Sequence, residues 1–186
     1  KTTHVIAEGE VMQLLNIHEA DTTAARYLEV IHSKTAKLFE AATQLGAVLA
    51  GLPAEQEQAL AAYGMHLGTA FQLIDDVLDY SASAEDMGKN VGDDLAEGKP
   101  TLPLIHVMLN GTDEQAALVR GAIENGGLDK LDEVLAAIEA TGALEYTRKV
   151  AQKEADLRLS ALAFLPDSDY KQALISLAQY SVDRSS

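Results

Sequence analysis

The chain has 186 residues, of which 29 are Asp or Glu and 14 are Lys or Arg, so its formal net charge is −15. This excess of negative charge argues against a nucleic-acid binder, whose affinity depends on cations that release phosphate counterions, and against electrostatic attachment to anionic membranes. Because cysteine is absent, disulfides, thiolate zinc sites and cysteine nucleophiles are excluded. With 47% hydrophobic residues, the length suits a single domain over residues 1–186.

The sequence also bears on location. No apolar run is long enough to span a bilayer, and Lys1-Thr2-Thr3-His4 does not resemble a signal peptide. The lack of cysteine is compatible with a reducing compartment. We therefore expect a cytoplasmic protein without stable membrane insertion.

Helical patterns dominate the first half of the chain. Between Arg26 and Gly51, apolar and small side chains recur in steps of three and four, which predicts one continuous helix with a single buried stripe. The stripe consists of Leu28, Ile31, Thr35, Leu38, Ala42, Leu45 and Leu49. A second helix is predicted from about Pro53 to Tyr80, because proline is favoured in a first turn. Its predicted core face is Leu60, Tyr63, Leu67, Phe71, Ile74 and Leu78.

A long connection follows from Ser81 to Pro103, where glycines and prolines interrupt the helical pattern. Loops of this length in compact chains are usually functional or disordered, and we expect this one to close as a lid. Beyond it, short turn signals separate five more predicted helices. These are Leu104–Asn110, Asp113–Glu124, Leu128–Thr141, Ala143–Leu165 and Asp167–Arg184. No strand-like alternation is visible, so the sequence predicts an all-α bundle.

Three aspartates lie close together near the end of the second predicted helix. Asp75 and Asp79 are four residues apart and share one helix face, with Asp76 beside them. Like charges at this spacing weaken a helix, whereas a Mg²⁺ ion prefers carboxylate oxygens together with waters and substrate phosphates. The cluster therefore indicates either a magnesium site or, as the alternative, a solvated acidic edge.

Two glycines, Gly64 and Gly68, continue the same face toward the start of this helix. Each costs about 1 kcal/mol relative to alanine in a helix interior. They indicate close approach by a neighbouring helix or space for a ligand, and close packing is the commoner reason.

The loop after the acids contains cations in a glycine-rich setting, at Lys89 and Lys99. Lysine brings a point charge to phosphates, and glycine lets the backbone close over a ligand. Asp93 and Asp94 either add to the metal shell or anchor the loop. The spacing matches neither a Walker loop nor an EF-hand, so acids and lysines together predict a Mg²⁺-bridged diphosphate site.

Lys34 and Thr35 fit the same site from the first long helix. A hydroxyl on an apolar stripe needs a partner, and Lys34 is one residue further round the helix. The alternative is that Thr35 bonds to its own helix backbone and that Lys34 is solvated.

The sequence resembles a known family. FQLIDDVLDY at Phe71–Tyr80 and GKNVGDDLAEGKPTLP at Gly88–Pro103 resemble the second aspartate-rich motif and following loop of the trans-isoprenyl diphosphate synthases. EGEVMQL at Glu8–Leu14 and SKTAKLFEAA at Ser33–Ala42 are most similar to bacterial octaprenyl and related polyprenyl synthases. The resemblance implies an all-α isoprenoid synthase-type bundle with its cavity between helices. It also implies a transferase that condenses an allylic diphosphate with isopentenyl diphosphate into a long-chain, octaprenyl-type product for quinone biosynthesis.

The resemblance further implies Mg²⁺ as the cofactor. Asp75 would bind the metal directly, and Asp76 and Asp79 would support the metal and its waters. Asp93 matches an acid near the metal waters of relatives.

For the substrate, the resemblance implies that Lys34 and Lys89 hold the allylic diphosphate with help from Lys99. Thr35 and Gln72 would face the allylic carbon and stabilise its developing cation. These four residues, Lys34, Thr35, Gln72 and Lys89, are the predicted catalytic set.

The sequence also departs from the family pattern. Relatives carry an earlier Asp-Asp-x-x-Asp motif and a Gly-Lys-x-Arg segment that grips isopentenyl diphosphate, and neither occurs in these 186 residues. We therefore expect an incomplete bundle that lacks N-terminal helices and has little activity alone. The alternatives are a non-catalytic or half-site-supplying subunit of a heteromeric synthase and, less compatible with the loop, a terpene cyclase. The resemblance implies a homodimer, because relatives are usually homodimers and symmetric dimers are the commonest soluble oligomers.

Overall fold

The computed structural model describes residues 1–81 and 91–184. Within these ranges the chain is helical and contains no strand, so the all-α prediction is confirmed. The helices are α1 (Thr2–Asn16), α2 (Ala24–Ile31), α3 (Lys37–Leu49), α4 (Ala54–Asp79), α5 (Asp93–Ala96), α6 (Leu102–Asn110), α7 (Asp113–Asn125), α8 (Leu131–Thr141), α9 (Ala143–Ala161) and α10 (Asp169–Asp183). None of the described helices is long and apolar enough to cross a membrane.

A π-helical turn, His32–Ala36, joins α2 to α3. Lys37 N–H donates to the His32 carbonyl across five residues, and such a turn adds a residue to the helix. The buried faces before and after it therefore do not align, and the prediction of one continuous stripe is wrong beyond the turn. The predicted stripe residues Leu38, Leu45 and Leu49 are 60%, 60% and 88% exposed. The residues that face α4 instead are Phe39, Thr43 and Ala47.

The central helix, α4, follows the prediction closely. Its first turn comes directly after Pro53 and contains Glu55 and Glu57, whose charges suit the helix N-terminus. The predicted core face is buried at Leu60, Tyr63, Leu67, Ile74 and Leu78 and partly buried at Phe71. Because α3 and α9 both pack along α4, the acids near its end are held within the bundle.

The glycines of α4 mark its contacts with the π turn and with α3. A Cβ on Gly68 would lie 2.6 Å from the Ala36 Cα, and one on Gly64 would lie 2.7 Å from the Phe39 carbonyl carbon. Both positions therefore serve close helix packing, as the commoner explanation predicted, and Gly68 brings α4 against the turn that carries Lys34 and Thr35.

The remaining helices agree with prediction apart from their ends. The segment predicted from Leu128 begins with a 3₁₀ turn, and α9 ends at Ala161, before the predicted Leu165. Within the predicted Ser81–Pro103 connection, α5 is a short helix and α6 begins at Leu102. Residues 82–90 lie outside the described residues, so the lid remains a prediction.

Candidate functional site

A cavity of about 250 Å³ opens between α1, the π turn, α4 and the segment that follows α5. Six residues predicted from the sequence line it, so the fold brings together positions that are far apart in the chain. They are Lys34, Thr35, Gln72, Asp75, Asp76 and Lys99.

The α4 acids are not a solvated edge. Asp76 is 2% exposed, and its two carboxylate oxygens accept hydrogen bonds from Tyr27 Oη at 2.5 Å and Gln72 Nε2 at 2.9 Å. Burial, and then the charge of Asp94, raise the pKa of Asp76 to about 8, although both hydrogen bonds oppose the change. Burial and the Asp94 charge likewise raise the pKa of Asp79 to about 7. The carboxyl groups are therefore crowded in a way that an added cation would relieve.

The loop acid that reaches the cavity is Asp94, and the geometry does not support Asp93 in that role. Asp93 is exposed, whereas Asp94 lines the cavity. The Asp94 backbone N–H donates to Asp79 Oδ2 at 3.1 Å, and its carboxylate accepts from Lys99 Nζ at 3.0 Å. Gly92 adopts a left-handed conformation (φ +82°) just before α5, which sets this orientation. Adjacent aspartates look equivalent in sequence, so no local signal separates them.

Two lysines carry positive charge at the cavity. Lys34 Nζ lies 2.9 Å from Glu10 Oε2 and also contacts Gln13. Lys99 Nζ lies 3.0 Å from Asp94 and 2.8 Å from Glu97. Burial lowers the pKa of Lys99, but these hydrogen bonds and charges outweigh it and raise that pKa above its ordinary value. Lys89, the third predicted lysine, lies outside the described residues.

The Thr35 hydroxyl donates to Gln72 Oε1 at 3.1 Å. The bond crosses from the π turn to α4, which favours the inward role of Thr35 over the alternative bond to its own helix backbone. Sequence reasoning predicted a partner for this hydroxyl but not its identity.

Two buried polar atoms at the cavity, Asn16 Oδ1 and Thr22 Oγ1, have no hydrogen-bond partner among the described residues. Buried polar groups in folded proteins are normally hydrogen-bonded. The cavity is therefore suited to a ligand or water that offers both donors and acceptors, and sequence reasoning did not identify these positions.

Comparisons with known proteins identify relatives of this chain. The family model described as "Polyprenyl synthetase" matches residues 1–141. Octaprenyl diphosphate synthase from Haemophilus influenzae is 57% identical over 98% of this chain, and the Escherichia coli synthase is 56% identical over 99%. A polyprenyl synthase from Caulobacter crescentus, crystallised with calcium and isoprenyl diphosphate, superposes with a TM-score of 0.92 at 42% identity over the whole chain.

The chain spans 56% and 57% of the length of the two bacterial octaprenyl relatives, and 57% of the Caulobacter structure. High identity over nearly all of this chain, together with the shared fold, identifies its lineage. The chain belongs to the polyprenyl synthetase family.

Proposed function

We propose that this chain forms the allylic diphosphate site of a Mg²⁺-dependent polyprenyl diphosphate synthase. The enzyme joins an allylic diphosphate to isopentenyl diphosphate and makes a long-chain, octaprenyl-type product for quinone biosynthesis. One observation carries the proposal: Lys34 and Lys99 share a single cavity with Asp75 and Asp94, and the Thr35–Gln72 pair lies on its wall.

The residues present fit Mg²⁺. Within residues 1–81 and 91–184, no three carboxylate or imidazole side chains converge enough to hold a metal alone. Mg²⁺ does not need them, because it usually takes one or two carboxylates and completes its shell with water and substrate phosphate. Asp75 would hold the ion at the cavity, with Asp79 and Asp94 beside it, and the partnerless polar atoms would meet its waters or the phosphate oxygens.

The side chains then favour departure of the diphosphate. Lys34 and Lys99 place positive charge where negative charge develops on the leaving oxygens. When bound, Mg²⁺ supplies further positive charge to those oxygens. The Gln72 carbonyl and Thr35 hydroxyl oxygens offer partial negative charge to the allylic carbon as it becomes cationic. The double bond of isopentenyl diphosphate attacks that carbon, and the proton then lost passes to the departed diphosphate. Water must stay out of the cavity, because it would quench the cation.

The remaining expectations are part of the proposal. The earlier aspartate motif and the Gly-Lys-x-Arg segment are absent from these 186 residues, so low activity of this chain alone remains a prediction. The homodimer, the cytoplasmic location and the alternative of a half-site-supplying subunit are likewise proposals.

Calorimetric titration with inorganic diphosphate, with and without Mg²⁺, tests the proposal. We expect binding that requires Mg²⁺ and weakens about tenfold or more in Asp75→Asn and in Lys99→Met, since each removes a charge that holds the ligand. Asp132→Asn, at an exposed position on α8, is the matched control and should bind normally. Failure of the wild-type chain to bind diphosphate in Mg²⁺ would contradict the proposal. A transfer assay with the chain alone, and with a full-length synthase added, separates an enzyme from a half-site subunit.

A further inference from the structure

A continuous chain of hydrogen bonds runs along the cavity wall. Thr35 Oγ1 donates to Gln72 Oε1 at 3.1 Å, and Gln72 Nε2 donates to Asp76 Oδ1 at 2.9 Å. The other Asp76 oxygen accepts from Tyr27 Oη at 2.5 Å. Four side chains from α2, the π turn and α4 are therefore joined, and Tyr27, which is only 6% exposed, was not singled out by sequence reasoning.

The direction of these bonds fixes the Gln72 amide. Asp76 Oδ1 accepts from the Gln72 nitrogen, and an amide has a donating nitrogen and an accepting oxygen. With its nitrogen bound to Asp76, the Gln72 oxygen must point toward Thr35 and the cavity. A flipped amide would set its carbonyl oxygen against Asp76 Oδ1 and lose that hydrogen bond, whereas the Thr35 hydroxyl can pair with either end of the amide. Asp76 therefore selects one of the two orientations.

Tyr27 in turn supplies the hydrogen bond to the second Asp76 oxygen. Both Asp76 oxygens are engaged by wall residues, and the side chain is 2% exposed. An unpaired buried carboxyl oxygen is costly, and the hydrogen bond to the Tyr27 hydroxyl removes that cost. Asp75, the adjacent residue on α4, also lines the cavity but is only partly buried.

We propose that Tyr27 and Asp76 are positioning residues, which hold the Gln72 carbonyl oxygen toward the reacting allylic carbon. Asp76 then serves the cavity wall and not the metal, in contrast to the role that the family resemblance implied. This inference rests on the proposed function, because only an allylic cation gives the orientation of that oxygen a consequence.

A double-mutant cycle tests the hydrogen-bonded chain without any ligand. Tyr27→Phe and Thr35→Val each remove one terminal hydroxyl, and denaturant unfolding gives the equilibrium constant for each single variant and the pair. We expect non-additivity of about threefold or more, because residues in one network couple. Thr69→Val is the control, since Thr69 is buried on α4 but bonds to the Met65 carbonyl. It should be additive with Tyr27→Phe, and additivity of the Thr35 pair would overturn the proposal.

Two unreactive allylic ligands test the functional half in Mg²⁺. One is an allylic thiolodiphosphate, which is neutral at the reacting carbon. The other is a diphosphate that carries a positive ammonium group at that position. We expect Tyr27→Phe to reduce the preference for the cationic ligand about tenfold and to leave neutral-ligand and inorganic diphosphate binding within about twofold. A merely structural defect would weaken all three ligands alike.

The outcomes separate the two proposals. An unchanged preference with normal diphosphate binding overturns the positioning role and leaves the proposed function intact. Absence of Mg²⁺-dependent binding in the wild-type chain overturns the proposed function and the substrate half of this inference together. Asp76→Asn adds a further test. Tenfold weaker diphosphate binding, as expected for Asp75→Asn, would show that Asp76 supports the metal and would overturn its positioning role.

Discussion

Gly68 offers a direct test of the packing that holds the cavity together. An alanine Cβ there would lie 2.6 Å from the Ala36 Cα and 2.9 Å from Phe39 Cδ2. The first of these atoms is backbone in the π turn and has no rotamer by which to withdraw. Gly68→Ala therefore forces α4 away from the turn that positions Thr35.

The magnitude follows from two opposing effects. Overpacking of a tight contact costs about 1–3 kcal/mol, and alanine recovers about 1 kcal/mol of helix propensity. Because the clash is with backbone, the cost lies toward the upper end of its range, and we expect a net loss of about 1–2 kcal/mol. For a chain of this length, that loss lowers the melting temperature by roughly 2–8 °C.

Gly46→Ala is the matched control, because a Cβ at this position in α3 meets nothing within 4 Å. It should raise the free energy of unfolding by about 1 kcal/mol through propensity alone. Thermal and denaturant unfolding of both variants give the comparison. Equal shifts of the same sign would refute the reasoning, since they would show that packing at Gly68 does not distinguish the two sites.

Three further predictions follow from the site and the fold. Because the pKa of Asp76 is raised to about 8 and that of Asp79 to about 7, the folded chain retains protons that the unfolded chain has lost. Stability should therefore fall from about pH 4 to pH 8, by at most about 1.4 kcal/mol per pH unit from Asp76 and by less from the partly exposed Asp79, whose contribution ends near pH 7; thermal unfolding at several pH values should show this slope, and Asp76→Asn should reduce it to the part that Asp79 contributes. Asp94→Asn should weaken Mg²⁺-dependent diphosphate binding several-fold in calorimetry whereas Asp93→Asn should not, and the reverse order would contradict the placement of α5. Leu38→Ala should change the free energy of unfolding by less than about 0.5 kcal/mol in denaturant titration, because this side chain is exposed; a loss above about 2 kcal/mol would favour the continuous stripe.

Much of the candidate site was accessible from sequence because its residues lie in distinctive local patterns. The spacing of Asp75 and Asp79, the Gln72 near them and the lysine of the Gly98-Lys99 segment are all visible in short stretches of sequence. Asn16 and Tyr27 carry no such signal. An asparagine near a helix end and a tyrosine on an apolar stripe are ordinary, and only their burial at one cavity distinguishes them.

The sequence by itself determined the all-α class, the extent of α4 and its buried face, since hydrophobic periodicity and the Pro53 start signal are local properties. It also identified the family, through motifs that are contiguous in the chain. Only the tertiary structure decided the rest. The π turn shifts the buried face of α3 by one residue. Neighbouring aspartates look alike in sequence, and they differ only in the side chains and backbone groups that the fold places beside each of them. The partners of Asp76 come from α2 and α4, and the sequence separation of 49 residues between Tyr27 and Asp76 leaves no local trace of their contact.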